Sequence, residues 1–540
     1  MPGKNKSPHL LITLTFRTII ITMKKLPIGI QTFRKFISEN YLYIDKTKGI
    51  YQLLSEGNEY YFLSRPRRFG KSLLVSILKE IFSGNKELFK GLWIYDKLDW
   101  QPHPVVHLDF LGLEYEGREQ LSQTLEFLVD QNANAYGVQL NQKGYDKRFK
   151  ELIIKLSGEN RVVILVDEYD KPIIDYVENQ EIKIAKENRK VLKTFYGAIK
   201  GADEYLAFVF ITGVSKFSKV SIFSGLNNLR DITMSASFST LLGYTEDELQ
   251  VYFKEHMTKM AGKLEMTPKD LTQRIRKWYN GYSWDGENFV YNPLSILSLF
   301  SENSFENFWF STGTPTFLTR LIKNKQRNIS QFDNLPVSSY TFDSYDIENM
   351  DVTSLLFQTG YLTVKEIFFK KEKKKYRLSY PNKEVRDSFL TYLFQEYTEK
   401  GLETSSQVVE RLVEAIDNDD LHRLMEEIKS LLASIPYYLF TDQKEAYYHT
   451  IIYLILRLAG AEIRSEEPTN IGRIDAVMES EHTIYIFEFK MGDEREALEQ
   501  VKRMKYAEKY MSGNKRIVLV GVGLNAEQRN IGNYVREELR

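Results

Sequence analysis

The chain contains no cysteine. Disulfides, thiol nucleophiles and cysteine–zinc sites are therefore excluded, and a reducing cytoplasm suits it. It also lacks net charge. Its 73 Lys+Arg balance 73 Asp+Glu, so no global field draws it to nucleic acid, and any such binding must come from a local patch. No apolar run is long enough to span a bilayer. His9–Thr22 is apolar, but it is short and Arg17 interrupts it. Lys4, Lys6 and this run have the pattern of a signal peptide, yet no small-residue cleavage site follows. The alternative is an over-extended start over residues 1–22, with Met23 as the first residue of the protein. With no other membrane candidate, the chain reads as soluble and cytoplasmic. Internal repeats and low-complexity linkers are absent too. What remains is ordinary globular composition over 540 residues, room for roughly three or four domains of about 150 residues each.

Ser64–Ser72 reads SRPRRFGKS. Its end, Gly70-Lys71-Ser72, matches the close of the phosphate-binding loop G-x-x-x-x-G-K-[ST]. Arg65 stands where the first glycine belongs, and Pro66 fixes the next φ. The apolar run Tyr60–Ser64 precedes the loop, and Leu73–Phe82 has helical spacing after it, giving strand, loop, helix. Val105–Phe110, Arg161–Val166 and Ala207–Thr212 are further strand candidates. The last two are uninterrupted and rich in β-branched residues, as in parallel strands buried on both faces. Strands alternating with helices imply an α/β parallel sheet over residues 23–240. Residues 241–335 are mostly helical and suit a lid subdomain. A connecting region follows over 336–405, in which Lys370–Arg377 (KKEKKKYR) is either a solvated hairpin tip or a nucleic-acid contact. Gln407–Ile435 is helical and amphipathic, and mixed α/β patterning resumes within 406–540.

A phosphate loop aims successive backbone N–H groups at phosphate oxygens, at the start of a helix. Arg67, Arg68, Phe69, Gly70, Lys71 and Ser72 are accordingly the candidate nucleotide contacts. Lys71 would place its charge on the β- and γ-phosphates, and Ser72 would ligate Mg²⁺. Asp167, at the end of a buried strand, occupies the Walker B position and would hold the same ion. Glu168 would polarise the attacking water. Thr212 is the candidate sensor of the γ-phosphate. Together these imply ATP and Mg²⁺ as cofactors. Arg230 is a candidate arginine finger, which would require a homo-oligomer, or else a surface ion-pair residue.

A second constellation lies near the C-terminus. Asp475 opens one alternating segment and Thr483–Lys490 (TIYIFEFK) forms another, with a turn at Ser480–His482. If the two pair as a hairpin, Asp475 falls opposite Glu488, and period two puts Lys490 on the Glu488 face. Two carboxylates and a lysine would then converge. This is the layout of a metal-dependent phosphodiesterase, in which Asp475 and Glu488 hold the metal and Lys490 orients water and offsets developing charge.

Several longer stretches carry a resemblance: LPIGIQTF (Leu26–Phe33), YIDKT (Tyr43–Thr47), RPRRFGKS (Arg65–Ser72), VDEYDKP (Val166–Pro172), LGYTEDEL (Leu242–Leu249) and YNGYSW (Tyr279–Trp284). In these the chain resembles the bacterial AAA-ATPase-like family, whose members commonly carry a C-terminal PD-(D/E)XK nuclease-like domain. The resemblance implies a P-loop NTPase parallel sheet with a helical lid, followed by a restriction-endonuclease-like α/β/α domain. It makes Arg65 part of the family's own form of the loop. Asp170 and Lys171 match the family motif, and a salt-bridged pair is their default role. In the PD-(D/E)XK pattern a helical Glu often completes the metal site and a helical Gln often follows the E-x-K strand. Glu445 and Gln500 match those places, while His449 reads as a helix-packing residue. Three functions then compete: an ATP-dependent nuclease acting on nucleic acid, probed by Mg²⁺-dependent cleavage; a regulatory ATPase switch whose nuclease-like domain only binds nucleic acid or a protein; and a scaffold with both sites decayed. Retention of so many costly polar groups argues against the third.

Overall fold

Four apolar runs become parallel strands because a strand buried on both faces has no use for polar alternation. In the computed structural model, β1 (Tyr60–Ser64), β2 (Val105–Asp109), β3 (Val162–Asp167), β4 (Leu206–Gly213) and the short β5 (Arg230–Asp231) form one parallel sheet in the order β2-β3-β4-β1-β5. The structure describes residues 23–539 apart from 58, 179–180, 217–221, 224–225, 311–315, 326, 343–350, 400, 440–444, 461 and 469–472. The side chains of 178, 316, 402–406, 438, 445–446, 462–468 and 473–474 are likewise outside the description. Alternate side chains of β1 feed two cores. Tyr61 and Leu63 pack with the helix Lys71–Phe82, whereas Tyr60 and Phe62 join the cluster containing the helices Gly117–Ala135, Tyr145–Leu156 and Ile182–Lys200. The strand bearing Asp167 is thus separated from the loop-bearing β1 by β4.

The N-terminal motifs are fasteners. Asp45 accepts hydrogen bonds from the Thr47 amide and hydroxyl and from the Trp93 amide. Lys46 pairs with Glu248 at 2.7 Å. Glu248 also closes a capping box with Thr245 at the start of the helix Glu246–Tyr252. YIDKT and LGYTEDEL therefore meet, and Leu42 and Ile44 are buried in the core of the helices that follow.

Residues 241–335 are not all helical, and the connecting region 336–405 carries a sheet of its own. β6 (Asn280–Tyr282) and β7 (Val290–Tyr291) form a small ribbon. β8 (Leu335–Ser338), β9 (Thr363–Lys370) and β10 (Lys373–Ser379) form an antiparallel sheet ordered β8-β10-β9. The expected single amphipathic stretch from Gln407 to Ile435 is two helices, Leu402–Asp417 and Leu421–Ala433. Asp419, at φ 56°, lies in the turn between them and receives hydrogen bonds from Thr483 (2.6 Å) and Tyr485 (2.7 Å) and an ion pair from Arg516. This one carboxylate fastens the helical hairpin to the last sheet.

That sheet comprises β11 (Glu462–Pro468), β12 (Arg473–Glu479), β13 (Thr483–Met491), β14 (Arg516–Asn525) and β15 (Asn530–Glu538), in sequential order. Only β13 and β14 run parallel, joined across the helix Glu494–Arg503. Tyr485, Phe487 and Phe489 share a core with the helix Glu445–Leu458, while Ile484 and Ile486 pack under the helix Glu494–Arg503. The two helices therefore cover opposite faces. Among the described residues no helix is long and apolar enough to cross a membrane.

Gly521 sets how closely the helix Glu494–Arg503 approaches. A Cβ built on it would stand 2.2 Å from the Glu494 carbonyl oxygen and 2.5 Å from the Leu498 nitrogen. Backbone cannot yield cheaply there, and overpacking costs about 1–3 kcal/mol. Gly521→Ala is expected to lift this helix, accelerating hydrogen exchange along Glu494–Arg503 while leaving the helix Lys71–Phe82 unchanged.

Candidate functional site

The loop after β1 is built around Arg65, which is 1% exposed. Its guanidinium lies over the Trp284 ring, 3.7 Å from the centroid. It donates to the carbonyls of Ser64 (2.9 Å), Thr233 (2.9 Å) and Phe238 (3.3 Å). Burial works against its charge, and Asp231 and Asp285 support it. Pro66 packs on Gly360, where an added Cβ would come within 2.8 Å of the proline ring. The Trp309 indole donates to the Arg67 carbonyl at 3.1 Å. Phe69 is inserted edge-to-face between Tyr282 (4.9 Å) and Trp284 (5.5 Å). The phosphate loop is thus gripped by YNGYSW and by residues near 309 and 360.

The loop turns at Arg68 (φ 68°) and Gly70 (φ 92°), and the helix begins at Lys71. Lys71 is buried, and its ammonium donates to the carbonyls of Arg65 (3.0 Å) and Pro66 (3.1 Å). Burial pulls its pKa below the usual lysine range, opposed by Asp167, Glu168 and Asp170. Burial also pushes the Asp167 carboxyl up to about 6, opposed by a hydrogen bond from Ser72 and by Lys71. Asp109 stands beside Asp167 in register at the ends of β2 and β3 and adds to the rise. Glu168 has a left-handed φ of 51°, a strained conformation costing roughly 1–3 kcal/mol.

Arg67, Arg68, Gly70, Lys71, Ser72 and Glu168 line a cavity of about 510 Å³. Its far wall comprises Pro27, Gly29, Ile30 and Gln31 of the LPIGIQTF stretch with Tyr244, Pro293, Leu294 and Leu297. The LPIGIQTF stretch is a part of the site that motif spacing does not reveal. Its proline and glycine, typical of a turn held against another surface, were the available signal.

Two expected roles change, those of Thr212 and of the Asp170–Lys171 pair. The buried Thr212 hydroxyl donates to the Leu63 carbonyl at 2.8 Å. It seals β1 to β4, so the hydroxyl expected to sense the γ-phosphate is already engaged by the neighbouring strand. The Phe69 ring anchors the loop from behind, leaving its backbone amide as the candidate phosphate contact. Asp170 and Lys171 do not pair with each other. Lys171 pairs with Asp175 at 2.7 Å, and Asp170 accepts from the amides of Val214 (3.2 Å) and Ser215 (2.6 Å). A Cβ at Gly213 would fall 2.2 Å from Asp170 Oδ1, so the glycine after Thr212 admits this carboxylate. Arg230 forms an ion pair with Glu56, the surface pairing that was its alternative reading.

In the C-terminal sheet β12 pairs with β13 from Glu479↔Ile484 to Ala476↔Phe487. One step further, the same register sets Asp475 against Glu488. There the ladder ends, and the Asp475 carboxylate accepts the Phe489 amide at 2.9 Å. Glu488 is buried, and Gln500 donates to its carboxylate from the overlying helix. Lys490 follows two residues later at the same end of β13, half-buried. Geometry thus unites Asp475, Glu488, Lys490 and Gln500 at one end of the sheet. The Glu445 side chain lies outside the described residues. His449 packs its ring 5.1 Å from Phe489. Tyr506 lies beyond the helix, in the short turn Tyr506–Tyr510.

Among the described residues, no group of three or more His, Cys, Asp or Glu side chains forms a metal cage. Magnesium rarely needs one: it is usually held by one or two carboxylates with phosphate and water. The hard oxygens of Ser72 with Asp167, and of Asp475 with Glu488, fit that donor set.

A family model described as predicted AAA-ATPase matches residues 27–223, and one described as PD-(D/E)XK nuclease superfamily matches residues 443–534. The chain is 38% identical over 530 residues to an uncharacterized protein in the vnfD 5′ region of Azotobacter chroococcum mcd 1, covering 96% of this chain and 100% of that one. The chain belongs to the AAA-ATPase-like family. Its C-terminal domain is of the PD-(D/E)XK nuclease superfamily. Among solved structures, it is similar to a chain of Drosophila ORC bound to poly(dA/dT) DNA and Cdc6, with 11% identity, TM-score 0.25, and coverage of 77% of this chain and 61% of that one. A second, Drosophila ORC bound to GC-rich DNA and Cdc6, matches at 10% identity and TM-score 0.24, over 85% of this chain and 69% of that one. At such TM-scores neither carries an argument here.

Glu384 ties this family's loop to its later helices. It is fully buried and accepts from the Ser295 hydroxyl (2.7 Å) and the Trp309 amide (2.6 Å). Burial raises its pKa from 4.5 to about 7. A carboxyl whose folded pKa is raised adds stability below its unfolded pKa and loses it as pH climbs through the folded value. Glu384→Gln should therefore be progressively more stable than wild type as pH rises from about 4.5 to above 7, read as the difference in melting temperature across a pH series.

Proposed function

We propose that this protein binds and hydrolyses ATP at the SRPRRFGKS loop and couples nucleotide state to Mg²⁺-dependent cleavage of nucleic acid at Asp475, Glu488 and Lys490. The observation that carries this reading is the convergence at each site. Gly70, Lys71 and Ser72 begin a helix beside Asp167 and Glu168, and Asp475 and Glu488 meet where β12 and β13 part, with Gln500 on Glu488. Buried carboxylates of this kind are costly without a cation.

At the first site the backbone amides of Arg68–Ser72 would receive phosphate oxygens at the helix start. Lys71 would exchange two loop carbonyls for the β- and γ-phosphates. Glu168, held in its strained conformation on the cavity wall, would take a proton from attacking water. The far wall of Pro27–Gln31 and Leu294–Leu297 would hold the base. When bound, Mg²⁺ would neutralise developing phosphate charge at both sites. At the second site Lys490 would orient the attacking water, and Gln500 would hold Glu488 in place. We regard residues 23–240 and 241–335 as the ATPase and its helical subdomain, 336–405 as the connecting part and 406–540 as the nuclease-like part. Physical continuity supports coupling. Trp309 and Glu384 link the loop to the helix Lys383–Thr398, which packs on the helix Glu445–Leu458 beneath β13.

Two variants separate the sites. Lys71→Ala is expected to lose ATP binding in calorimetry. Lys490→Ala should keep ATP affinity but lose about 10²–10⁴-fold in Mg²⁺- or Mn²⁺-dependent cleavage of plasmid and single-stranded DNA. Unchanged ATP affinity in the first would refute the phosphate-loop assignment. Wild type cutting no better than Lys490→Ala would leave the regulatory switch as the better reading.

A further inference from the structure

The tip of the β9–β10 hairpin belongs to neither site. Its two-residue turn, Lys371-Glu372, has positive φ at both positions, 49° and 61°. That is the conformation of a tight primed turn, usually supplied by Asn-Gly or Gly-Gly. Using a lysine and a glutamate there costs strain that neither glycine nor asparagine would incur to the same degree. Lys370, Lys371, Lys373, Lys374 and Lys375 crowd this tip. None forms an ion pair among the described residues, and Glu372 is the sole acid between them. In a chain of zero formal charge, this is a concentrated local field, felt over about one Debye length of roughly 8 Å.

An aromatic surface accompanies the charge. Phe369 is 71% exposed and lies directly across the ladder from Lys374. Tyr340, at 79% exposure, follows the end of β8, where Ser338 pairs with Lys375. Further down the same face of the hairpin, Tyr376 and Leu378 are buried. Phe369 is therefore the continuation of the core-facing side of β9 past the body of the protein. Lysines do protect sheet edges from unwanted pairing. Edge protection accounts for Lys373 and Lys374, which lie past the end of β8, but not for Lys375, which pairs with Ser338, nor for a bare phenylalanine across the ladder from Lys374.

We propose that this hairpin is a binding element for single-stranded nucleic acid, with Phe369 stacked on an unpaired base beside Lys374 on its own face, and Lys370, Lys373 and Lys375, on the opposite face, reaching phosphates as the strand wraps the tip. The chemistry is that of non-specific strand binding, a basic track with an exposed ring for any base. The inference rests on the reading that the protein works on nucleic acid, but not on whether Asp475, Glu488 and Lys490 cut it.

The test is polarisation titration of a fluorescein-labelled oligothymidylate with the full chain in EDTA, repeated over a salt series. Replacing Lys370, Lys373, Lys374 and Lys375 by Gln should weaken binding and reduce the slope of log K against log salt by about 3, from 0.7 per lost phosphate contact. Phe369→Ser should weaken binding about tenfold with the slope unchanged. Both substitutions are on exposed or half-exposed side chains, and an unchanged melting temperature checks the fold. Because EDTA withholds the metal, the titration reads binding whether or not wild type cleaves, which keeps the two readings separable. Binding and slope unmoved by the lysine replacements, absence of binding by wild type, or lysine-dependent capture of phosphatidylserine vesicles without oligonucleotide binding would each overturn the proposal.

Discussion

The stacking of Arg65 on Trp284 is the contact on which the nucleotide loop depends. A guanidinium buried to this degree loses its hydration, and the loss must be offset by several acceptors at once. Three carbonyls and an indole face supply them. A planar fork of five donors can meet carbonyls along its edge and an aromatic ring on its face together, which an ammonium cannot. The carbonyls come from β1, from the segment after β5 and from Phe238, while the ring comes from YNGYSW. One side chain therefore joins the strand that leads into the loop, the far edge of its sheet and the region after residue 279.

That arrangement explains why the first glycine of the usual loop can be absent. Glycine there permits a turn by lacking a side chain. Here the turn is enforced by side chains that fix it from outside: Arg65 in its stack, Pro66 against Gly360, Phe69 between two rings, and the Arg67 carbonyl on Trp309. The inner surface of the loop, from Arg67 to Ser72, stays turned to the cavity. Stiffness comes from the environment rather than from the local backbone, so the loop's shape is tied to the packing of residues 280–360.

The strands were legible because burial on both faces leaves an unbroken apolar run. Tyr60–Ser64 was readable to the residue, and Val162–Asp167 and Leu206–Gly213 within one residue at either end. Asp475, Glu488 and Lys490 were legible because period two and a turn at Ser480–His482 suffice to align them. Thr212 misled because a polar residue at a strand end looks the same whether it meets a ligand or a neighbouring carbonyl. Only the order β4-β1, a long-range pairing, decides between them. The Asp170–Lys171 pairing misled for a related reason. Neighbours in sequence beside a strand end point apart, and Lys171 finds Asp175 one helical turn on. Trp309 and Gly360 could not have been assigned to the loop from sequence, since each approaches it from hundreds of positions away, and Glu384 reaches it only through Trp309.

The two sites solve the problem of buried carboxylates differently. Around the loop, Asp167 and Asp170 are raised to about 6 by burial, and backbone amides, a hydroxyl and Lys71 only partly compensate. That site is primed by charge, with acids that a cation would stabilise. At the C-terminal sheet the device is geometric. Two glycines of β14, Gly521 and Gly523, let the helix Glu494–Arg503 settle against the backbone. Gly521 is the cross-strand partner of Glu488, and Gly523 of Lys490. The glycines therefore sit beside Glu488 and Lys490, and the close approach they permit brings Gln500 onto Glu488. The alternation Val520-Gly521-Val522-Gly523 is as much a part of that site as the acids, because without it the glutamate would lose the donor that justifies its burial.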